Sequence, residues 1–315
     1  IAGHAEVEGI AEPAAPATPG EVNVYSHRHY ESDKLLFDAF TKETGIKVNL
    51  LSAGDDDLLS RIEAEGANTP GDVLITADAG RLGLAQQRGL FRNVQSEVLN
   101  ANIPASRRHP EGAWFGFSMR ARVFAFNKNT VKPEELRSYD DVTAPKFKGR
   151  VLARTSEHVY NQSLVASMIA HDGEERARKW AEGVVKNFAR SPKGSDTDQL
   201  LAIAEGIGDV AIVNSYYVGK LLNSDDPARQ KAKEVIALVF PDNNGYGTHF
   251  NVSGGGVIKH AKNAENAIKL LEFLSSEASQ RVFAETNMEF PVKPGVPAAA
   301  TLQSFGAYQA DTLDL

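Results

Sequence analysis

Short apolar runs alternate with amphipathic segments from Glu21 onward, and this alternation is the main structural signal in the chain. The run VNVYS (residues 22–26) precedes a segment over residues 32–44 in which apolar side chains recur at helical spacing, and Gly45 follows that segment. A short apolar run followed by an amphipathic stretch predicts a strand and then a helix. The same order recurs along the chain, which is typical of an α/β protein with largely parallel sheets.

The other elements are predicted by the same criteria. Further strands are expected over residues 46–52, 72–76, 149–154, 209–215 and 235–240. Further helices are expected over residues 57–64, 78–88, 161–171, 174–187, 196–206, 264–275 and 277–286.

Two extended segments interrupt this repeat of strands and helices. WFGFS (114–118) and RVFAFN (122–127) are consecutive extended runs, and we expect one of them to carry the chain into a second lobe. The glycine-rich run HFNVSGGGVIK (249–259) is then the return crossing. Two crossings between two α/β lobes predict a hinged clamp that closes around a ligand.

This organisation predicts the domain boundaries. Residues 1–20 are rich in Ala, Pro, Gly and Glu and have no steady apolar period, which is typical of a flexible tail. The first α/β lobe is expected to comprise residues 21–118 and 249–290, and the second lobe residues 119–248 and 291–315.

Composition narrows the possible functions. The formal net charge of −7 at pH 7 argues against nucleic acid or an anionic membrane surface as a partner, since both attract basic patches. The chain has no cysteine, which excludes thiolate metal sites, iron–sulfur clusters and cysteine nucleophiles, so any metal must be bound by nitrogen or oxygen. The sequence has no apolar run long enough to span a membrane and does not begin with a signal sequence, so we expect an exported form to have lost its signal.

Tyrosine and histidine are concentrated where an α/β clamp would bind its ligand. In open α/β sheets, ligands lie beyond the carboxyl ends of the strands. Tyrosines follow the first predicted strand, the strand GRVLAR and the strand DVAIVNS, and histidines also follow the first strand. The residues concerned are His27, His29, Tyr30, Tyr160, Tyr216 and Tyr217.

A tyrosine phenol titrates near pH 10, at roughly three units above neutrality, so it is an anion at pH 7 only when a cation stabilises it. A bound trivalent cation does so, and hard ions prefer such oxygen ligands, so ferric iron fits whereas cuprous copper and zinc fit poorly. Three phenolates would neutralise the charge of a ferric ion. A fourth would leave one negative charge, which a nearby cation would offset. Adjacent aromatic residues such as Tyr216 and Tyr217 also pack against core and solvent in many proteins, so the residues alone leave both interpretations open.

Six segments, in order along the chain, resemble the periplasmic ferric-binding proteins, in particular their FutA or iron-deficiency-induced branch. Together they cover most of the chain from Val22 to Lys220. The segments are VYSHRHYESD, FTKETGIKV, PGDVLITADAGRL, SMRARVFAFN, HVYNQS and NSYYVGK.

The resemblance implies a two-lobed, type II periplasmic-binding-protein clamp with two crossover hinge strands. It implies a periplasmic, non-enzymatic substrate-binding protein of an ABC importer that delivers ferric iron (Fe3+) to an inner-membrane permease, and we expect a monomer. Tyrosines bind iron in that branch, which carries over to Tyr30, Tyr160, Tyr216 and Tyr217 here. The residue before the first tyrosine, His29 here, is a ligand in some members.

A sister branch uses a histidine, a glutamate after the third strand, the tyrosine pair and an exogenous anion. Here Ala77 stands where that glutamate is expected, which favours the tyrosine-rich version. In the FutA-like branch an arginine lies near the iron. The resemblance implies that the corresponding residue here is Arg120, or alternatively Arg122, and that its positive charge lies next to the metal ligands. His27 departs from the family pattern, and we interpret it as an exposed loop histidine.

Two alternative functions stay open. A receptor of the same fold for a polyamine, thiamine or a phosphonate would stay colourless with ferric salts. A clamp-fold enzyme is disfavoured because the sequence has no cysteine nucleophile, no Gly-x-Ser-x-Gly elbow and no cofactor fingerprint. His158 and His249 lack the spacing of a metal motif and are interpreted as surface residues.

Overall fold

A computed structural model of the protein describes residues 20–242 and 244–314, so most of the predicted tail (1–20) lies outside the described residues. The strands are β1 (Glu21–Ser26), β2 (Lys47–Ser52), β3 (Val73–Thr76), β4 (Phe115–Asn127), β5 (Val151–Leu152), β6 (Val210–Asn214), β7 (Ile236–Val239), β8 (Phe250–Val257) and β9 (Phe290–Pro291). The helices are α1 (Glu31–Thr44), α2 (Asp55–Glu65), α3 (Ala79–Gln87), α4 (Glu97–Asn102), α5 (Val159–Asp172), α6 (Glu174–Asn187), α7 (Asp196–Ala204), α8 (Ser215–Leu222), α9 (Gln230–Val235), α10 (Ala264–Leu274), α11 (Glu277–Asn287) and α12 (Ala300–Gln303).

The strands form a sheet whose order is β2-β1-β3-β8-β4-β6-β5, with β7 and β9 also paired to β4. Strand β1 is parallel to β2 and β3, whereas β8 runs antiparallel to both β3 and β4. Strand β4 changes partner along its length, because it pairs with β8 up to Ala121 and with β6 from Arg122 onward. The two halves of the sheet are therefore joined through β4.

Strand β4 is one continuous strand of 13 residues, whereas the sequence pattern predicted two consecutive runs. Arg120, which lies between those runs, and Arg122, which begins the second run, are both buried within the strand. They are tolerated there because Arg120 forms an ion pair with Glu289 and Arg122 forms one with Asp196. Both acidic partners are distant in sequence, so the local pattern did not reveal them.

Each half of the sheet has its own apolar core. One cluster includes Phe40 of α1 and Leu271 of α10, and it packs on the half that contains β1 and β3. Another includes Leu200 of α7 and Tyr216 of α8, and it packs on the half that contains β6. Separate cores are what two lobes need in order to move as rigid units. The lobe boundaries given above stay a prediction.

The predicted helices and strands are present, with ends that differ by a few residues. The expectation of largely parallel sheets was wrong, because β4 and β8 run antiparallel to their neighbours. Helix α1 stops at Gly45, whose φ of 76° lies in the left-handed region that glycine adopts readily. Helix α5 begins at Val159, two positions before the predicted start at residue 161, and this shift moves Tyr160 from a loop into a helix. Among the described residues, no helix has both the length and the apolar character needed to cross a bilayer.

Candidate metal centre

The four tyrosines singled out by the sequence all lie at helix N-termini. Tyr30 is the residue that precedes α1, and Tyr160 lies in the first turn of α5. Tyr216 and Tyr217 lie in the first turn of α8, which follows β6 without a loop. Tyr160 does not directly follow a strand, contrary to the prediction, because a turn segment separates Leu152 from α5. All four residues therefore lie at the positive ends of three helix dipoles, a position that favours negative charge.

The hydroxyl groups of three tyrosines form a triangle, which we call the hydroxyl triad. The hydroxyl oxygen of Tyr30 lies 2.8 Å from that of Tyr216 and 3.3 Å from that of Tyr160. The hydroxyl oxygens of Tyr160 and Tyr216 are 3.1 Å apart. Because Tyr30 precedes α1 and the other two lie in α5 and α8, the triad joins the two halves of the molecule.

Tyr217 completes the tyrosine group from one side. Its ring centroid lies 4.2 Å from that of Tyr216, and its half-buried side chain packs against Ala77 and Tyr160. Ala77 is itself buried beside these tyrosines, so a longer side chain at that position would reach them. The sequence position where the sister branch has its glutamate is thus adjacent to the tyrosine group.

His29 lies at the edge of the tyrosine group. Its side chain is exposed, and its ring stacks on Tyr30 with the two ring centroids 5.7 Å apart. The Nδ1 atom lies 3.0 Å from the carbonyl oxygen of His27, which leaves Nε2 as the ring atom available to a metal.

Arg120 lies directly behind the hydroxyl triad. One of its Nη atoms donates to the hydroxyl oxygen of Tyr160 at 3.4 Å, and its Cζ lies 5.2 Å from the ring centroid of Tyr216. Burial disfavours the charge of Arg120, but the neighbouring Glu289 carboxylate outweighs this and raises the pKa of the guanidinium. Arg122, the alternative, donates instead to Asp196 at 2.7 Å. Arg120 is therefore the arginine that bonds to the triad.

Glu289 and Arg28 are charged residues beside the site that sequence reasoning missed. Glu289 is fully buried and accepts hydrogen bonds from Arg28, Arg120 and Ser118. Burial alone would raise the pKa of this carboxyl, but Arg28 and Arg120 lower it to about 2. Arg28 also pairs with Asp33 at 2.8 Å, and its Cζ lies 4.7 Å from the Tyr30 ring centroid. The pairing of Arg28 with Glu289 joins residues far apart in the chain, so no local motif could have identified it.

Tyr30, Tyr216 and Tyr217 stay protonated as neutral phenols when no cation is present. Burial raises the pKa of Tyr30 and of Tyr216 well above the usual value, and nearby tyrosines, chiefly Tyr160, raise both further. Burial likewise raises the pKa of Tyr217 to about 12. A ligand that converts these phenols to phenolates must therefore supply strong positive charge.

Three histidines differ from their sequence-based interpretation. His27 is half-buried, and its Nδ1 lies 2.9 Å from a carboxylate oxygen of Asp55, so it is not a free loop histidine. His158 caps α5 by accepting from the Tyr160 N–H, and burial lowers its pKa to about 4. His249 is buried, and burial lowers its pKa to about 4 as well. The surface assignment of His249 was wrong, because the folded chain covers it, whereas His158 is half-buried.

Across residues 20–242 and 244–314, no group of three or more histidine, aspartate or glutamate side chains is arranged to hold a metal ion.

The chain is similar to known proteins over most of its length. The family model for bacterial extracellular solute-binding proteins matches residues 26–281. Iron uptake protein A1 of Synechocystis is 51% identical over 308 residues, which cover 96% of this chain and 86% of that protein. The structure of Trichodesmium FutA (IdiA) in complex with iron and citrate ligands matches with a TM-score of 0.87 and 50% identity, covering 94% of this chain and 93% of the other. The ferric binding protein from Campylobacter jejuni matches with a TM-score of 0.89 and 37% identity, covering 93% of each chain.

These matches extend over nearly the whole described fold. The α/β architecture predicted from the sequence is confirmed, and so is its arrangement as a two-lobed periplasmic-binding-protein clamp, because both solved structures superpose on more than nine-tenths of the chain. The chain belongs to the bacterial extracellular solute-binding protein family, in its FutA-like branch.

Proposed function

We propose that this protein binds one ferric ion as cargo, with Tyr30, Tyr160, Tyr216 and Tyr217 as phenolate ligands and His29 as a further ligand. The observation that carries the proposal is the hydroxyl triad, in which three phenol oxygens from three different helix N-termini lie 2.8 to 3.3 Å apart. Relatives whose names state iron uptake or ferric iron binding support it.

The spacing of the triad suits a small, hard cation. An octahedral ion with metal–oxygen bonds of about 2.0 Å holds neighbouring ligand oxygens about 2.8 Å apart. The three hydroxyl distances are at or slightly above this value, so the triad resembles one face of an octahedron with little rearrangement needed. Phenolate oxygens favour hard, highly charged ions, which selects ferric over ferrous iron.

The charge around the site also matches this cargo. The basic side chains that lie over the tyrosine rings are Arg28, Arg120, Arg122, Arg154 and Lys220, and the acidic side chains that pair with these arginines are Asp33, Asp196 and Glu289. Basic groups are thus in excess around the tyrosines. A ferric ion with four phenolates carries one negative charge, which this excess offsets. We propose that Arg120 supplies this compensating charge directly behind the ligands.

The other functions considered fit the site less well. A polyamine needs free carboxylates, whereas Glu289 behind the triad is already fully engaged by Arg28 and Arg120. A phosphonate needs free cationic donors in the cleft, whereas the two arginines are directed to Glu289 and to Tyr160. We propose a binding role without catalysis, in keeping with a family of solute-binding proteins.

Delivery follows from the clamp. We propose that closure of the two lobes around ferric iron creates a shape that an ABC permease in the inner membrane recognises, and that the protein acts in the periplasm as a monomer. Reduction of the ion or protonation of the phenolates would release the cargo, because both weaken coordination by oxygen anions.

The test is optical. Ferric citrate added to the protein is expected to produce a visible phenolate-to-iron charge-transfer band that fades in Tyr216→Phe and in Tyr217→Phe. The matched control is Tyr246→Phe, because Tyr246 is exposed and its hydroxyl bonds to Asp172, away from the triad. A wild-type protein that stays colourless would refute the proposal, as would a band that survives both substitutions unchanged.

A further inference from the structure

A cavity of about 620 Å³ lies between α5, α6 and the segment that follows α6. Its volume falls in the range of roughly 300 to 1,000 Å³ that is typical of small-molecule sites. Apolar side chains make up most of its walls, with Leu164, Val184 and Phe188 on the helical side and Ile212 of β6 on the sheet side. None of the tyrosines proposed as iron ligands lines it, although the Cζ atom of Arg154, a lining residue, is 5.4 Å from the ring centroid of Tyr160.

Trp180 presents an apolar surface to this cavity. Its Nε1–H donates to the carbonyl oxygen of Tyr139 at 2.8 Å, so its one polar atom is satisfied within the protein. The indole ring is then free to pack against an apolar ligand without losing a hydrogen bond.

Two arginines give the cavity a polar side. Arg190 donates weakly from Nη2 to Gln199 at 3.4 Å, and its Nε is buried without a partner among the described residues. Arg154 lies 3.5 Å from an oxygen of Asp196. That carboxylate is neutralised more closely by Arg122, at 2.7 Å. Both guanidiniums therefore keep unused donors, and a fork of N–H groups matches a carboxylate well.

Asp198 is the other acidic group near the two arginines. One of its carboxylate oxygens accepts from the N–H and the hydroxyl of Ser195, so it serves mainly to cap α7. The arginine side of the cavity thus retains positive charge for an incoming anion.

We propose that this cavity binds an amphipathic organic carboxylate, with its apolar part between α5 and α6 and its carboxylate at Arg154 and Arg190. A purely apolar ligand would leave the buried Arg190 Nε unpaired, and a small hydrophilic anion would leave the apolar walls uncovered. An organic cation would be repelled by the two guanidiniums. The site neighbours the proposed iron site, since Arg154 lies over the ring of Tyr160, and it adds a second ligand to the protein.

Decanoate is a suitable probe, and decanol is its uncharged counterpart. The chain has two tryptophans, Trp114 and Trp180, so Trp114→Phe leaves Trp180 as the fluorescent reporter inside the cavity. Decanoate is expected to change the emission of Trp114→Phe saturably, and not that of Trp180→Phe. Ala181→Leu, which fills the cavity, is expected to abolish the response while the protein stays folded by circular dichroism.

Arg190→Gln tests the carboxylate contact. It is expected to weaken decanoate binding roughly tenfold, because a charge-assisted hydrogen bond is lost, and to leave decanol binding nearly unchanged. Arg178→Gln, on the exposed face of α6, removes the same charge away from the cavity and is expected to have no effect. An unchanged Trp180 emission up to the solubility limit of decanoate would overturn the proposal. Equal losses in Arg190→Gln and Arg178→Gln would overturn the assigned contact.

The iron assay separates the two proposals. The charge-transfer band is expected to be the same in Ala181→Leu and in the wild type. A protein that develops the band but ignores decanoate contradicts the carboxylate site alone, and one that binds decanoate but stays colourless contradicts the iron site alone.

Discussion

Replacing Glu289 by glutamine tests whether the buried charges behind the hydroxyl triad are held by this one carboxylate. Glu289 is fully buried, and its two oxygens accept from Arg28 at 2.8 and 3.0 Å and from Arg120 at 3.1 Å. Glutamine keeps the size but removes the charge, which leaves Arg120 without its carboxylate partner. Breaking a buried ion pair in this way costs about 3 to 5 kcal/mol, so we expect the free energy of unfolding at pH 7 to fall by that amount.

The pH dependence of the free energy of unfolding gives a second, independent measure of how much the charge of Glu289 stabilises the fold. The pKa of Glu289 in the folded protein is lowered to about 2, so its charge contributes stability above the ordinary glutamate pKa and loses it as the pH falls towards 2. At about 1.4 kcal/mol per pH unit, the gap between wild type and Glu289→Gln should narrow by roughly 2 kcal/mol between pH 6 and pH 3.

Urea unfolding at several pH values, followed by circular dichroism, measures both quantities. Glu285→Gln is the matched control, because Glu285 is an exposed glutamate on the preceding helix α11, and its effect should stay within about 0.5 kcal/mol. A loss below about 1 kcal/mol at pH 7, or a gap that is the same at pH 6 and pH 3, would show that Glu289 does not hold these charges.

Three further predictions concern the metal site and its surroundings. Arg120→Gln should weaken ferric iron binding about tenfold in competition with citrate, because the compensating charge is lost; unchanged competition would contradict that role. Iron loading at pH 7 should release protons into weakly buffered solution, because Tyr30 and Tyr216 have raised pKa values and are neutral before iron binds. The apparent affinity for iron should therefore fall as the pH falls. An affinity that does not depend on pH would count against phenolate ligands. Asp78 is buried, and burial raises its pKa to about 6. In urea unfolding, the free energy of unfolding of Asp78→Asn should therefore rise by about 1 to 3 kcal/mol relative to that of the wild type as the pH increases from 4 to 7. A difference that stays constant over this pH range would contradict the raised pKa.

The sequence carried most of the fold because periodicity is a local property. The amphipathic spacing before Gly45 predicted α1 to within one residue at its start, and the strand and helix order followed in the same way. The tyrosines were also accessible from sequence, since the chemistry of phenol oxygens and the absence of cysteine do not depend on packing. Their identity as ligands stays a prediction.

Other features needed the folded chain. Sequence left Arg120 and Arg122 as alternatives, because they are two positions apart on one strand and have the same chemistry. The structure separates them, since Arg120 bonds to Tyr160 whereas Arg122 pairs with Asp196. Nor did the sequence reveal that His249 is buried, because most of the residues around it in the chain are polar or glycine.

The sequence by itself determined the order of most strands and helices, the type of ligand atom available to a metal and the positions of the tyrosines along the chain. It did not predict α8, the helix that carries Tyr216 and Tyr217. Only the tertiary structure decided that Tyr30 meets Tyr216, 186 residues away, and that Arg28 meets Glu289, 261 residues away. The physical reason is that local spacing fixes backbone conformation and amphipathic faces, whereas charge pairing and convergence of side chains depend on how those faces pack across the sheet.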